Sequence, residues 1–414
     1  MSSQIQNSGA FYAYVSEGLG NRQGIAAAIL ALVSYNMMQI GLYGIFGFGL
    51  AAMLNGWLGT AIPWWLAAAV GWVIVAVMGV RNVDFSAKLL GVLVALEFLV
   101  VIVVSIISLT TAPEGVTSQA LQPAQFFTDG IGVLLAFSIA AFMGFESGAI
   151  YSEEAKDPEQ TVPKATYIAV GVIALFYAGS AWAFAQGVGP STIIAQSQEH
   201  GPDLLFIWLG EYSAPAATVA NVLFITSLIA ALVAFHNAAA RYFFSLGRSR
   251  VLPDFFAKTT ASGAPLTGSI TQSAIAVVVV IGFAIAGIGS EFGDLYPVLT
   301  LFTWLTNAAA FGLVFLLAIS SVSIMVWLNR AATGYGIVTR LIAPIIATVG
   351  LITIFVLVMV NFPLMIGDTG PASLVWVMPG IIIGAGVLGL LWGTYLERAK
   401  PEIYNSLHDN LDQH

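Results

Sequence analysis

Long apolar runs separated by short polar ones dominate this chain. Windows long enough to cross a bilayer fall at about 24–50, 61–80, 88–110, 130–151, 164–188, 215–240, 268–288, 296–328, 338–361 and 374–395. Each approaches or exceeds the roughly 20 residues a helix needs to span a hydrocarbon core about 30 Å thick. The pattern predicts an all-α polytopic membrane protein with ten transmembrane helices. Residues 296–328 are long for one crossing but leave no room for a turn, so they read as one tilted or kinked helix around Asn307 and Gly312. The polar loop 189–214 carries Gly189-Pro190 and Gly201-Pro202 and predicts an extramembrane connection with a short helix at 204–209.

The basic residues orient the spans. All 13 Lys and Arg fall in alternate loops, from Arg22 before the first span to Arg398 and Lys400 after the last. The intervening loops hold only acids, among them Glu114, Glu199, Asp203, Glu291 and Asp368. Basic loops stay cytoplasmic. The expected organisation is a cytoplasmic N-terminal segment (1–23), a transmembrane domain (24–395) and a cytoplasmic C-terminal tail (396–414), in a cytoplasmic membrane.

Composition agrees with the pattern. Hydrophobic residues make up 58% of the chain and charged residues 8%, against about a quarter charged in soluble domains; mean hydropathy is +0.91. The formal net charge of −8 argues against nucleic acid as a partner. Cysteine is absent, which removes disulfide and thiol chemistry. No phosphate-binding glycine loop or His-Glu-x-x-His motif is present, and the four histidines are scattered. The sequence calls for no cofactor or metal and gives an enzyme reading nothing to rest on. The glycines of the first span, Gly41, Gly44, Gly47 and Gly49, read as helix-packing positions.

One stretch breaks the apolar monotony. Gly144-Phe145-Glu146-Ser147 interrupts the fourth span, ten residues before Lys156, which puts Glu146 about 15 Å from the cytoplasmic end and so near mid-bilayer. A carboxylate at that depth is a functional-site candidate, because leaving it unpaired is costly. Broken backbone survives there only if protein or a wet cavity surrounds it. The alternative is a structural carboxylate that accepts bonds from the broken backbone or a neighbouring hydroxyl. Glu97 is a second acid near the midplane, nine residues from Lys88, and its alternative is pairing with a polar group on another helix. Asn36, Gln39, Thr226, Ser227, Thr303 and Asn307 lie at similar depth and serve either a site or interhelical hydrogen bonds.

The break and its adjoining loop, Glu153-Glu154-Ala155-Lys156-Asp157-Pro158-Glu159-Gln160-Thr161-Val162-Pro163-Lys164-Ala165-Thr166, resemble helix six and the next cytoplasmic loop of amino acid–polyamine–organocation (APC) permeases. Arg241 to Pro253 resembles the end of that family's helix eight. Ser8 to Val15 resembles the segment between its second and third helices. The resemblance implies helices three to twelve of a five-plus-five inverted-repeat (LeuT-like) fold, in a secondary transporter of amino acids or related amines that works by alternating access. It implies that Gly144, Phe145, Glu146 and Ser147, with Asn36, Gln39, Thr303 and Asn307, bind or gate substrate. Glu97, Glu146, Thr226 and Ser227 are the residues expected to couple H+ or Na+. Some family members carry a lysine where this chain has Glu97, so sodium mimicry by lysine is not expected.

By the same alignment the family's first two helices would lie upstream of Met1. The first, third and fourth spans would then border a groove beside the break. The expectation is a chain that does not transport alone, through a misplaced start, a remnant, or a need for a partner. The rival reading is a non-transporting permease-like remnant or regulatory membrane subunit. The charged segment 153–164 reads as a solvated loop, or as an inner gate pairing with Arg241. Its Pro158 and Pro163 are expected to end one helix and begin the next. Substrate identity, coupling ion, transport direction and oligomeric state are not encoded legibly.

Overall fold

A computed structural model describes residues 5, 9–81, 83–126, 131–150, 155–330, 334–367 and 370–409. Ser8, Glu153, Glu154 and Asp368 lie outside them. The chain opens with α1 (Ala10–Leu19) and turns at Gly20 into α2 (Asn21–Leu58). Next come α3 (Trp64–Gly79), α4 (Val83–Thr110) and the short α5 (Pro123–Phe126). The broken segment is α6 (Ile131–Phe142) and α7 (Ser147–Ile150), followed by α8 (Pro158–Val188). α9 (Ile193–His200) and α10 (Leu204–Tyr212) lead into α11 (Ala214–Arg248) and α12 (Leu266–Ala286). The last four are α13 (Thr303–Arg330), α14 (Ala343–Ile366), α15 (Leu374–Ala399) and α16 (Pro401–Asp409).

Every apolar window of the sequence falls on a helix. Among the described residues, eight helices are long and apolar enough to cross a membrane. The apolar Trp64–Gly79 is shorter, and the fourth window is the one divided between α6 and α7. The structure moves one irregularity and removes another. The kink expected at Asn307 and Gly312 lies earlier, in a π-helical turn at Val298–Phe302, after which α13 is continuous. Pro158 and Pro163 sit in one helix: Pro158 occupies the first turn of α8, where no amide partner is needed, and α8 continues past Pro163 to Val188.

The post of the assembly is α2. It is 38 residues long, about 57 Å by helical rise, so its ends reach past a hydrocarbon core. From Ser34 to Gly47 every position is buried. A helix that is apolar all round belongs inside a bundle, and α2 packs against α1, α3, α11, α13 and α15. Close approach needs small residues, because lipid chains compete equally for apolar surface. A Cβ on Gly44 would lie 2.5 Å from the Pro297 carbonyl oxygen, and one on Gly47 2.6 Å from that of Trp64.

Gly44→Ala is therefore expected to lower the apparent melting temperature in detergent, by the equivalent of about 1–3 kcal/mol of overpacking. Gly56→Ala, where nothing lies within 4 Å, should be neutral or slightly stabilising. Equal shifts for the two would contradict this packing.

Candidate functional site

Chain geometry creates the break, and side chains complete it. Gly144 takes φ +103°, a left-handed conformation that glycine adopts without strain. A Cβ there would meet nothing within 4 Å, so the requirement is conformational and not steric. The Phe145 amide donates to the Phe142 carbonyl at 3.3 Å, and the Ala149 amide to the Glu146 carbonyl at 2.9 Å. Glu146 employs both carboxylate oxygens. Oε2 accepts the Gly144 amide at 3.0 Å, and Oε1 accepts the hydroxyl of Tyr35 on α2 at 2.5 Å.

Tyr35 passes the connection on. Its ring, fully buried, stacks on Tyr242 of α11 with centroids 5.5 Å apart and planes at 28°. The Tyr242 hydroxyl accepts the Phe11 amide of α1 at 3.3 Å. One continuous set of contacts thus joins α1, α11, α2 and the break. Hydroxyl-bearing aromatics at this depth need such partners, since an unpaired hydroxyl in an apolar interior is costly.

Cavities flank the break on two sides. One, of about 270 Å³, is lined by Phe11, Phe142, Phe145, Glu146, Leu313 and Ile354 among others. The other, of about 560 Å³, lies among α4, α6, α8 and α11, with Gly144, Gly148, Ala165, Ala169, Ala234 and Phe145 in its walls. Its size falls within the usual range for small-molecule sites. Phe145 borders both cavities. The larger cavity is walled by the third, fourth, fifth and sixth spans, and α2 does not line it.

The second acid lies on the same side. Glu97 of α4 lies near Ser227 of α11, while its Oε1 is buried and makes no hydrogen bond among the described residues. Val94 and Ala231 line the larger cavity, which puts the Glu97–Ser227 pair about one helical turn from its edge. Thr226, beside Ser227, turns its hydroxyl to the Leu223 carbonyl of its own helix at 2.9 Å.

Other sequence candidates go elsewhere. Gln39 accepts Gln272 of α12 at 2.8 Å and donates to the Tyr43 hydroxyl at 3.0 Å. Asn307 donates to the Met365 carbonyl of α14 at 2.9 Å, and Thr303 to the Val298 carbonyl at 2.8 Å. Asn36 donates to the Leu32 carbonyl at 2.7 Å, with its Oδ1 buried and without a partner among the described residues. Ser147 begins α7, and its side chain lies outside the described set. Of the charged segment, Lys156, Asp157 and Glu159 are exposed, while Arg241 is buried. Among the described residues no cluster of His, Cys, Asp or Glu has the makings of a metal site.

Sequence reasoning missed Tyr35, Tyr242 and Gln272. The available signal was a tyrosine directly before Asn36, and a glutamine one turn after the start of an apolar span. His236, which the sequence offers as a packing or gate residue about a turn and a half from Arg241, is fully buried: its Nε2 lies 2.7 Å from the Ser269 hydroxyl, and a Cβ on Gly79 would come within 2.4 Å of it.

Tyr35→Phe deletes a hydrogen bond to a carboxylate, worth about 1.5–3 kcal/mol. Backbone hydrogen exchange from Gly144 to Ala149 should speed up while exchange in α13 stays unchanged. Unaltered exchange at the break would show that the hydroxyl does not hold it.

Comparison with known proteins extends the fold reading. A family model described as amino acid permease matches residues 1–399. The chain is 28% identical over 156 residues to the lysine-specific permease LysP of Lactococcus lactis, covering 36% of this chain and 30% of the relative. It is 26% identical over 272 residues to the aromatic amino acid transport protein AroP of Escherichia coli O157:H7, covering 63% of this chain and 53% of the relative. These alignments span about a third to a half of the relatives' own length. A crystal structure of a mutant manganese transporter from Eremococcus coleocola superposes with a TM-score of 0.51 over 94% of this chain and 84% of its own, at 15% identity, which is a likeness of fold. With residues 1–399 matched and a transporter fold built around a broken helix, the chain belongs to the amino acid permease family, a family of permeases and not of enzymes.

Proposed function

We propose that this chain moves amino acids or related amines across a membrane by alternating access, with the substrate cavity beside Gly144–Ser147. The observation that carries this reading is the break itself. It is a mid-span interruption whose carboxylate is engaged from both sides, next to a cavity of about 560 Å³. Half-helix ends and unwound backbone at mid-membrane are the groups that hold substrates in transporters of this architecture. The amino-acid class follows from the family, and the names of its relatives span cationic and aromatic substrates. Phe145, which borders both cavities, serves as the flap between them. Glu97 with Ser227, or Glu146 itself, supplies the coupling site for H+ or Na+.

The reading includes ten crossings over 24–395, with the segments 1–23 and 396–414 on the cytoplasmic side. Structural adjacency supports one basic face. Arg22 of α2 pairs with Glu397 of α15 at 2.8 Å, and Arg330 of α13 donates to the Gly18 carbonyl at 3.4 Å. The natural chain has no cysteine, so Gly115→Cys and Ser262→Cys can be labelled without background. They should react from opposite faces of the membrane; reaction from one face would remove the ten-crossing arrangement.

The functional test is uptake of labelled lysine, histidine and aromatic amino acids into proteoliposomes. Accumulation of one of them supports the transporter reading, and binding without accumulation supports a regulatory subunit. Uptake by the wild type should vary with pH, and Glu146→Gln, which keeps the shape and removes the titration, should flatten that profile. A profile unchanged in Glu146→Gln would return Glu146 to a structural role and leave Glu97 as the titrating group.

A further inference from the structure

A cleft whose lining holds no residue of the break has no part in the transport reading. It is a cavity of about 270 Å³ between α2, α13, α14 and α15, walled by Ala27, Leu30, Phe311, Phe315, Phe355 and Gly386 among others. Its floor is aromatic: Phe355 stacks on Phe311 with centroids 4.7 Å apart at 27°, and meets Phe315 at 5.2 Å. α15 leans on α2 and α13 and scarcely touches α14, its neighbour in sequence. The cleft therefore opens outward between α14 and α15, past the exposed Val387 and Leu390.

The four helices that line it share a basic end. α2 begins with Arg22, α13 ends in Arg330, a π-helical turn holding Arg340 leads into α14, and α15 ends with Arg398 followed by Lys400. Contacts place these ends together. Arg22 meets Glu397 at 2.8 Å, the Arg330 guanidinium reaches the Gly18 carbonyl, and Asn329 donates to the Arg340 carbonyl at 3.3 Å. All four arginines are exposed. The nearby acids are Glu17, Glu397 and Glu402, fewer than the five basic residues. Leu19 and Gln23 form the rim on that side, directly next to Arg22. By helical rise Arg398 lies about 12 Å beyond Leu390, and Arg330 about 16 Å beyond Ile319.

An apolar slot open to hydrocarbon, with clustered guanidinium groups beyond its one end, has the chemistry of a site for an anionic phospholipid. We propose that this cleft holds one acyl chain of an anionic diacyl phospholipid, with its phosphate at the arginines of the basic end. The choice of the cytoplasmic leaflet rests on the cytoplasmic placement of 1–23 and 396–414. A cysteine at Ser262 labelled from outside would move the headgroup to the other leaflet and leave lipid binding itself intact, so the two readings fail separately.

The test uses the purified full chain in detergent, with added phosphatidylglycerol or phosphatidylcholine of identical acyl chains. A ligand bound to the native state raises the melting temperature by mass action. Phosphatidylglycerol should give the larger upward shift. Gly386→Leu, whose Cβ would meet only Leu30 at 3.3 Å, should lower the phospholipid that co-purifies, as read by mass spectrometry. Gly380→Leu, on the same helix with nothing within 4 Å, should leave it unchanged. Arg330→Gln combined with Arg398→Gln should abolish the preference for phosphatidylglycerol. Equal shifts with the two lipids in the wild type would overturn the proposal, and so would equal lipid content in Gly386→Leu and Gly380→Leu.

Discussion

A helix interrupted within hydrocarbon leaves amide and carbonyl groups that no solvent can satisfy. The segment Gly144–Ser147 meets that constraint with one residue. Glu146 folds back to accept the Gly144 amide with one oxygen and takes the Tyr35 hydroxyl with the other. The glycine supplies the turn and the carboxylate closes it. A tyrosine from a different span then gives the other oxygen its partner. Remove any of the three, and the break exposes a polar group to an apolar interior.

This arrangement explains why α2 is so uniformly buried. Tyr35 can reach the break only if α2 stands at the centre of the bundle, and Gly44 and Gly47 let its neighbours close in around it. The stack of Tyr35 on Tyr242, and the bond from Phe11 to Tyr242, extend the same contact set to α11 and α1. A rearrangement of α6 and α7 against the rest of the bundle therefore has a defined cost. It must break the Tyr35–Glu146 bond or carry it along, and a displaced Tyr35 is felt through Tyr242 at α1. Glu97 and Ser227 lie near one another on α4 and α11, two of the helices that line the larger cavity.

The places of the helices along the chain were legible in the sequence and their direction was not. Glu146 stood out because a carboxylate beside a glycine in an apolar run has only a few physical explanations, and each of them involves a break. The apolar windows located the helices because bilayer thickness fixes their length. Facing is a different matter. Helices that are apolar on every side carry no stripe to show which face meets a partner, so Gln39 and Asn307 had the right depth for a cavity but turn to α12 and α14. Tyr35 was invisible for a related reason: its partner lies 111 positions away in sequence, and nothing local distinguishes it from a packing aromatic. The π turn at Val298–Phe302 is displaced from its expected place at Asn307 and Gly312, and its marker in the sequence is Pro297, directly before it.

The bond between Tyr35 and Glu146 is best tested by a double-mutant cycle on stability. Apparent melting temperatures in detergent would be compared for the wild type, Tyr35→Phe, Glu146→Gln and the double variant. If the two side chains act through one bond, the double variant should melt close to the less stable single variant. Groups that act independently add their effects, and a double variant that loses the sum of the two single shifts would contradict the account.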